Sequence, residues 1–366
     1  MNLCDNTIFF DALITNNVQG NKQPIPAYYS CTRTMPLIND TTDYMLSIIR
    51  FTIDTTMLPV WLPQIQTNQG NINLTTNSIT MSYTDPNSNK TITYQQYMIF
   101  VPQDSSAQLP SPPSSNQPYY LQDNSTGYYN VYNYQYLIYL INQTFETCLT
   151  NLQILANNND VILPDNVIAP NMTFDNSSQL ASININADNY GITSSKINIY
   201  FNSALMELFV SLPFQRYGVN AQNGMNFMLN NLMGSDPTII QQEYSTVANW
   251  CPITSIVFTT SLIPVISNQV GLPAIYNNGL LVSSTSNASS FNIITDLVAD
   301  NFAFTPYIIY SPSIFRYISL LPNQKISQLD IAVYYQDRFG NLNPVLLPNN
   351  SSMTVKLLFT RLPIEK

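Results

Sequence analysis

Apolar and polar positions alternate with a period of two in several segments of the chain, the pattern of strands with one face buried and one face wet. In residues 49–54, Ile49, Phe51 and Ile53 alternate with Arg50, Thr52 and Asp54. Leu329, Ile331, Val333 and Tyr335 share one face, and Met353, Val355, Leu357 and Phe359 repeat the pattern near the C-terminus. Between the last two runs, Asp337-Arg338-Phe339-Gly340-Asn341 with Pro344 supplies turn chemistry for antiparallel strands. Strand-like runs bounded by Pro, Asn, Asp and Ser recur along most of the chain, which predicts a mainly β fold, as a sandwich or barrel.

One stretch changes period. Leu137, Ile141, Phe145, Cys148, Leu149, Leu152 and Leu155 recur at three and four, the spacing of an amphipathic helix, and Asn157-Asn158-Asn159-Asp160 is suited to ending it. A second short helix is expected over Ser203 to Leu212. The segment 103–127 is rich in Pro and Ser and has no period, so it reads as a surface loop or the boundary of an inserted unit.

Composition narrows the function. The 366 residues include no histidine, and 9% are Asp, Glu, Lys or Arg, against about 25% in ordinary soluble proteins. The polar surface is built instead from Asn, Gln, Ser and Thr, with 24 Tyr, 24 Pro and 17 Phe against 10 Gly. Neutral polar and tyrosine side chains can be buried against neighbours without desolvating a charge, a composition that suits permanent contacts. A net charge of −9 with 12 basic residues, nowhere clustered, argues against direct genome binding. The N-terminal sequence lacks a basic, long-apolar leader, and no run approaches the roughly 18 apolar residues of a membrane helix.

The four cysteines, Cys4, Cys31, Cys148 and Cys251, are far apart with no CxxC pair, and read as buried thiols made in a reducing compartment. Asn39, Asn142 and Asn171 begin Asn-x-Ser/Thr triplets of the kind an Asn-rich chain produces by chance, and no sugar is expected on them.

Without histidine, Ser-His-Asp and Cys-His catalysis is impossible. Carboxylate pairs of the glycosidase kind are the remaining route, and the glutamates are Glu146, Glu207, Glu243 and Glu365. Glu207, beside Leu208 and Phe209, has the most apolar setting, although an exposed helix position explains it more simply. Asn157 to Asp160 with Asp165 could offer oxygens to calcium but lack the alternating acid spacing of a calcium loop. Trp250 reads as a core or intersubunit anchor, and Arg316 and Arg338 as solvated strand-end residues or intersubunit donors. No catalytic, cofactor or metal residue is assigned, and the chain is expected not to be an enzyme. Residues 1–24, with Ile8-Phe9-Phe10 and Leu13-Ile14, would expose hydrophobic surface unless they dock on the chain's own sandwich or on a neighbour.

Several motifs in order carry a family resemblance. Lys196-Ile197-Asn198-Ile199-Tyr200-Phe201-Asn202-Ser203 precedes Leu208-Phe209; then come Tyr244, Trp250-Cys251-Pro252-Ile253, the strand Ser255 to Thr260, Thr295-Asp296, Arg316-Tyr317-Ile318-Ser319-Leu320, Ile331 to Tyr335 and Asp337-Arg338-Phe339-Gly340. From about residue 190 onward this resembles the penton, or minor capsid, proteins of Sputnik-type virophages and polinton-like elements. The resemblance implies a single antiparallel jelly-roll β-sandwich interrupted by a large inserted domain with at least one amphipathic helix. The implied organisation is an N-terminal arm over 1–24, first jelly-roll strands over 25–85, an outward-facing insert over 86–243 and the remaining strands over 244–366. The implied function is a homopentamer closing the five-fold vertices of an icosahedral virion, made in host cytoplasm or viral factory. Its partners would be the major capsid protein and, through the insert, a host or giant-virus surface glycan. The alternatives are a double jelly-roll protein forming trimeric hexons and a carbohydrate-binding β-sandwich at a cell surface.

Overall fold

The segments with period two are strands. In a computed structural model, the described residues are 7–17, 24–56, 58–63, 71–103, 128–193, 195–218, 221–230, 238–266, 275–277, 280–283, 292–298, 307–338, 340 and 342–361. The fold is mainly β. The chain divides into two units: Met1–Pro59, Asp123–Tyr132 and Pro252–Lys366 form the first, and Val60–Gln122 with Asn133–Cys251 the second.

In the first unit, one sheet has the order β1 (Thr7–Asn16), β22 (Ser351–Arg361), β4 (Tyr44–Asp54), β17 (Tyr307–Tyr310), and β18 (Ile318–Ser319) also pairs with β4. The other sheet has the order β15 (Leu280–Ser283), β14 (Ile275–Asn277), β20 (Leu342–Pro344), β19 (Gln328–Asp337), β13 (Ile253–Thr260), β16 (Asn292–Leu297), and β3 (Tyr28–Thr32) also pairs with β19. A small ladder joins β2 (Ile25–Pro26) to β21 (Leu346–Leu347). The sheets meet across an apolar interior where the rings of Phe51 on β4 and Phe258 on β13 lie 5.1 Å apart. Met353, Val355, Leu357 and Phe359 are all fully buried there, each contributing about 1.5–3 kcal/mol by leaving water.

Three details depart from the sequence pattern. Lys356 pairs with Arg50 while Leu357 pairs with Ile48, so Ile49 is a bulge residue. An extra residue reverses which side chains face inward: Leu46 and Ile48 are buried before it and Phe51 and Ile53 after it, leaving Ile49 half-buried. The turn after Asp337, where Gly340 has φ +83° and donates to the Asp337 carbonyl at 3.0 Å, joins β19 to the short β20, and the final strand β22 belongs to the other sheet. Phe339 and Asn341 lie outside the described residues. Residues 7–16 of the expected arm form strand β1, paired with β22 along its whole length from Thr7↔Thr360 to Asn16↔Ser351.

The second unit holds a five-stranded sheet, β10 (Phe214–Arg216), β11 (Phe227–Leu229), β9 (Asn198–Phe201), β5 (Ser78–Thr84), β6 (Thr91–Tyr97), and a three-stranded one, β12 (Ile239–Gln241), β8 (Leu180–Asn184), β7 (Asn171–Asp175). Helix α1 (Tyr134–Asn158) packs on β5, β6 and β7. Leu137, Ile141, Phe145, Cys148, Leu149 and Leu152 are buried as their spacing predicts, and Leu155 is half-buried. Asn133 caps the N-terminus by accepting from the Tyr136 N–H at 2.8 Å. Past the last turn Asp160 adopts φ +55° and the Val161 N–H returns to the Ala156 carbonyl at 3.0 Å, so Asn157 to Asp160 is a helix stop.

The second helix is shorter than expected. Helix α2 runs Ser203–Leu208 because the Leu208 carbonyl, which a longer helix would use, is taken by the Thr246 hydroxyl and the indole N–H of Trp250, both at 2.6 Å. Trp250 ends the one-turn helix α3 (Val247–Trp250). Of the 103–127 segment, 104–127 lie outside the described residues.

Candidate functional site

The residues weighed for chemistry are dispersed. Glu146, Glu207 and Glu243 are each exposed, Glu146 accepting from Gln143 at 3.1 Å on its own helix, and Glu365 lies outside the described residues. Asp165 is exposed on a loop, where its carbonyl faces the Asn189 amide at 3.4 Å. No group of three or more Cys, Asp or Glu is close enough to hold a metal among the described residues. Among the same residues, no helix is long and apolar enough to cross a membrane.

Of the thiols, Cys148 is fully buried, while Cys31 and Cys251 are only partly so, which corrects the expectation that all are buried; Cys4 lies outside the described residues. Burial pushes the Cys148 thiol up to about 12, leaving it without thiolate character. Asn142 is engaged by the backbone of Met172 on β7, donating at 2.9 Å and accepting at 2.7 Å. Asn39 and Asn171 are exposed.

The Tyr-x-Asn-Ser motif is architectural. Asn202 caps α2 by accepting from the Leu205 N–H at 3.0 Å, and the same oxygen accepts from the Ser78 N–H at 3.1 Å. Its amide nitrogen donates to the Thr76 carbonyl at 2.6 Å, so one fully buried side chain joins β9, α2 and the start of β5. Trp250 sits in the core with its ring 5.4 Å from Tyr134, 5.3 Å from Phe174 and 5.2 Å from Phe209. It is a core anchor.

Charge inside the first unit is handled in the same way. Asp330 on β19 is 2% exposed, and its carboxylate accepts five hydrogen bonds from Thr260, Ser261 and Leu262 at the end of β13. Arg316 pairs with Asp296 of its own chain at 2.5 Å with both side chains partly in water, and Arg338 is exposed.

What remains for contact with other molecules is surface, and the outer face of the sheet β1-β22-β4-β17 is distinctive. Phe9, Asp11, Leu13 and Thr15 project from β1 away from the core, with Phe9 58% and Leu13 56% exposed. Lys356 lies 5.5 Å over the Phe9 ring and 3.5 Å from Asp11. Register sets Leu13, Thr354, Thr52 and Ile309 in one row across four strands, and Asp11, Lys356 and Arg50 in the next. Sequence reasoning read Arg50 and Thr52 only as the wet side of a strand, flagged Phe9 and Leu13 only as part of apolar clusters in need of a docking surface, and missed Ile309. The signal was present in β1, where Phe9, Asp11, Leu13 and Thr15 form one alternate set, but apolar Ala12 and Ile14 in the other set hid it.

Comparison with known proteins gives a consistent picture. The family profile of Sputnik minor capsid protein V18/19 matches residues 8–361. The uncharacterized protein V18 of Sputnik virophage is 31% identical over 149 residues, covering 40% of this chain and 84% of that protein. The structural protein V19 of the same virophage is 25% identical over 220 residues, covering 53% of this chain and 94% of that protein. Among solved structures, a chain of the Sputnik virophage cryo-EM structure superposes with a TM-score of 0.72 at 24% identity, covering 97% of this chain and 98% of that one. The mavirus penton protein superposes with a TM-score of 0.64 at 17% identity, covering 98% and 100%.

Proposed function

The chain belongs to the Sputnik minor capsid protein V18/19 family and is a structural, penton-like capsid protein of the virophage type, and from that premise we propose that it is the penton subunit, closing the five-fold vertices of an icosahedral shell as a homopentamer. The observation that carries the reading is strand order. The sheets β1-β22-β4-β17 and β3-β19-β13-β16 pair strands from both ends of the chain across two facing layers, an order that supports reading this unit as a single eight-stranded jelly roll. In this reading the insertion between β4 and β13 is carried by Val60–Gln122 and Asn133–Cys251.

The inserted unit faces outward, where it meets host or giant-virus surface glycans, and the jelly roll meets the major capsid protein. Assembly is the mechanism: neutral polar and aromatic side surfaces are buried between subunits. The double jelly-roll alternative requires a second face-to-face sandwich, whereas in Val60–Cys251 helix α1 lies against β5, β6 and β7. Negative-stain microscopy of the purified chain and of isolated particles tests the reading. Five-fold rings and vertex density are expected; three-fold blocks, or a chain absent from particles, would overturn it.

A further inference from the structure

The turn Gln222–Gly224 sets an asparagine before a glycine for two separate backbone reasons. Asn223 sits at φ +54°, ψ +30°, the left-handed region that asparagine enters more readily than most side chains. Gly224 follows at φ +66°, where an added Cβ would collide with Gln95 Nε2 and stand 3.0 Å from Ser78 Oγ and 3.1 Å from Asn73 Oδ1, so only glycine fits. The juxtaposition has a chemical consequence. With no side chain on Gly224, its backbone nitrogen is the least hindered nucleophile that a chain can offer to a preceding asparagine amide carbon, and Asn223 is exposed to the water such a reaction needs. One bond stands in the way: the Asn223 carbonyl accepts from the hydroxyl of Thr80 on β5 at 2.5 Å, across 143 residues of sequence, and Thr80 is fully buried.

We infer that Asn223 is a site of spontaneous conversion to aspartate and isoaspartate, and that the Thr80 hydroxyl is the latch that keeps it unreactive in the folded chain. The Gly224 nitrogen attacks Asn223 Cγ, forming a C–N bond; the Cγ–Nδ2 bond breaks, and Nδ2 leaves as ammonia with the proton given up by the Gly224 N–H. Solvent water then opens the five-membered imide, at Cγ to give aspartate or at the main-chain carbonyl carbon to give isoaspartate. Ring closure needs the Gly224 nitrogen and the Asn223 side chain on the same side of the Cα–C bond. At ψ +30° the nitrogen points away from Cβ, and bringing the two together takes a rotation of roughly 150° about that bond. The rotation must pull the Asn223 carbonyl off Thr80, because that carbonyl and the Gly224 nitrogen share one rigid peptide plane. The loop is braced further by the Tyr217 N–H on the Asn226 carbonyl and Asn226 Nδ2 on the Gly218 carbonyl, both at 2.8 Å. Conversion therefore follows local opening. Isoaspartate routes the main chain through Cβ, and the longer turn cannot reseat Gly224 where one added carbon has no room. Either product adds one negative charge to the −9 of the chain, so each conversion is a permanent record of an opening.

The test is timed incubation of the full-length chain at pH 8 in heavy-oxygen water, native and in urea, followed by peptide mapping of the segment around Asn223 for label uptake and isoaspartate. Asn278-Gly279, a second Asn-Gly pair, lies outside the described residues and is read on a separate peptide. In urea, Asn223 should convert at the rate of a free peptide of the same sequence; in the native chain it should convert at least roughly tenfold more slowly. Thr80→Val should speed native conversion by roughly tenfold, about the worth of the lost hydrogen bond, and leave the rate in urea unchanged, while Thr80→Ser keeps the hydroxyl and the slow native rate. Equal native and urea rates in the wild type overturn the inference, as does an unfolded chain in which Asn223 stays intact while the free peptide converts. A folded Thr80→Val chain with the wild-type native rate overturns the role of Thr80. If Thr80→Val does not fold, the wild-type comparison of native and urea rates, together with Thr80→Ser, carries the test.

Discussion

The carboxylate of Asp330 holds Ser261 twice over, accepting its hydroxyl at 2.6 Å and its backbone N–H at 3.0 Å, and so fixes the end of β13 to β19. Asp330→Asn keeps one acceptor oxygen and points an amide N–H at the Ser261 N–H. The expected loss is about 1–3 kcal/mol, and Asp330→Ala, which leaves the N–H groups of Ser261 and Leu262 without their acceptor, should lose more. Urea unfolding with intrinsic fluorescence and circular dichroism measures both.

Asn202 predicts a sharper asymmetry. Asn202→Asp retains the oxygen that serves Ser78 and Leu205 but sets a second oxygen against the Thr76 carbonyl, which now receives a donor at 2.6 Å. It should therefore destabilise the second unit by more than 2 kcal/mol, about the cost of burying an unpaired charged group, despite being nearly isosteric. Limited proteolysis alongside denaturation would detect the loss.

Both tryptophans, Trp61 and Trp250, are at most 4% exposed, so native emission should be blue-shifted and poorly quenched by iodide. Trp250→Phe should be tolerated far better than Trp250→Ala, which is expected to cost about 3–5 kcal/mol. The Leu208 carbonyl keeps the Thr246 hydroxyl in either variant.

Thiol chemistry should separate by position. Cys148, buried and with its thiol pushed up to about 12, should resist iodoacetamide at pH 8 until the chain unfolds, while the partly exposed Cys31 reacts in the native state. Peptide mapping of timed alkylation reads out both, and early labelling of Cys148 would contradict the packing of α1 on β5.

The pH dependence of stability follows from what is absent and what is depressed. No histidine titrates between pH 5 and 8, so the thermal midpoint should be flat there. Asp40, Asp85 and Asp175 are held below the usual carboxylate range, chiefly by the hydroxyls of Thr42, Ser88 and Ser178. A carboxyl with its folded pKa below its unfolded value contributes stability that is complete above the unfolded value, about 3.9, and is lost as pH falls through the folded one. The midpoint should therefore decline below about pH 4, as calorimetry across pH 2–8 would show.

How much was legible in the sequence depended on whether a residue's role was local. Helix α1 and strand β22 were legible because each buries one regular stripe, and the period alone identifies it. Strand β1 was not, since Phe9 and Leu13 face outward while Ala12 and Ile14 face inward, so apolar residues occupy both phases. Asn202 and Asp330 were illegible for another reason: their partners lie 124 and 70 residues away in Ser78 and Thr260, and only the fold brings them together. The Arg50 and Lys356 juxtaposition needs the bulge at Ile49 as well as the register. The end of α2 depended on a carbonyl claimed from a distant segment.

Strand β22 lies between β1 and β4, yet it is synthesised after both and after everything that separates them. Until it emerges from the ribosome, those two early strands have no common neighbour and the sheet cannot close, whereas Val60–Cys251 is already complete and free to fold. A chain interrupted before residue 351 thus lacks the middle of its own sheet. Translation order therefore keeps an unfinished chain from presenting a closed sheet, because the strand that joins β1 to β4 is made last.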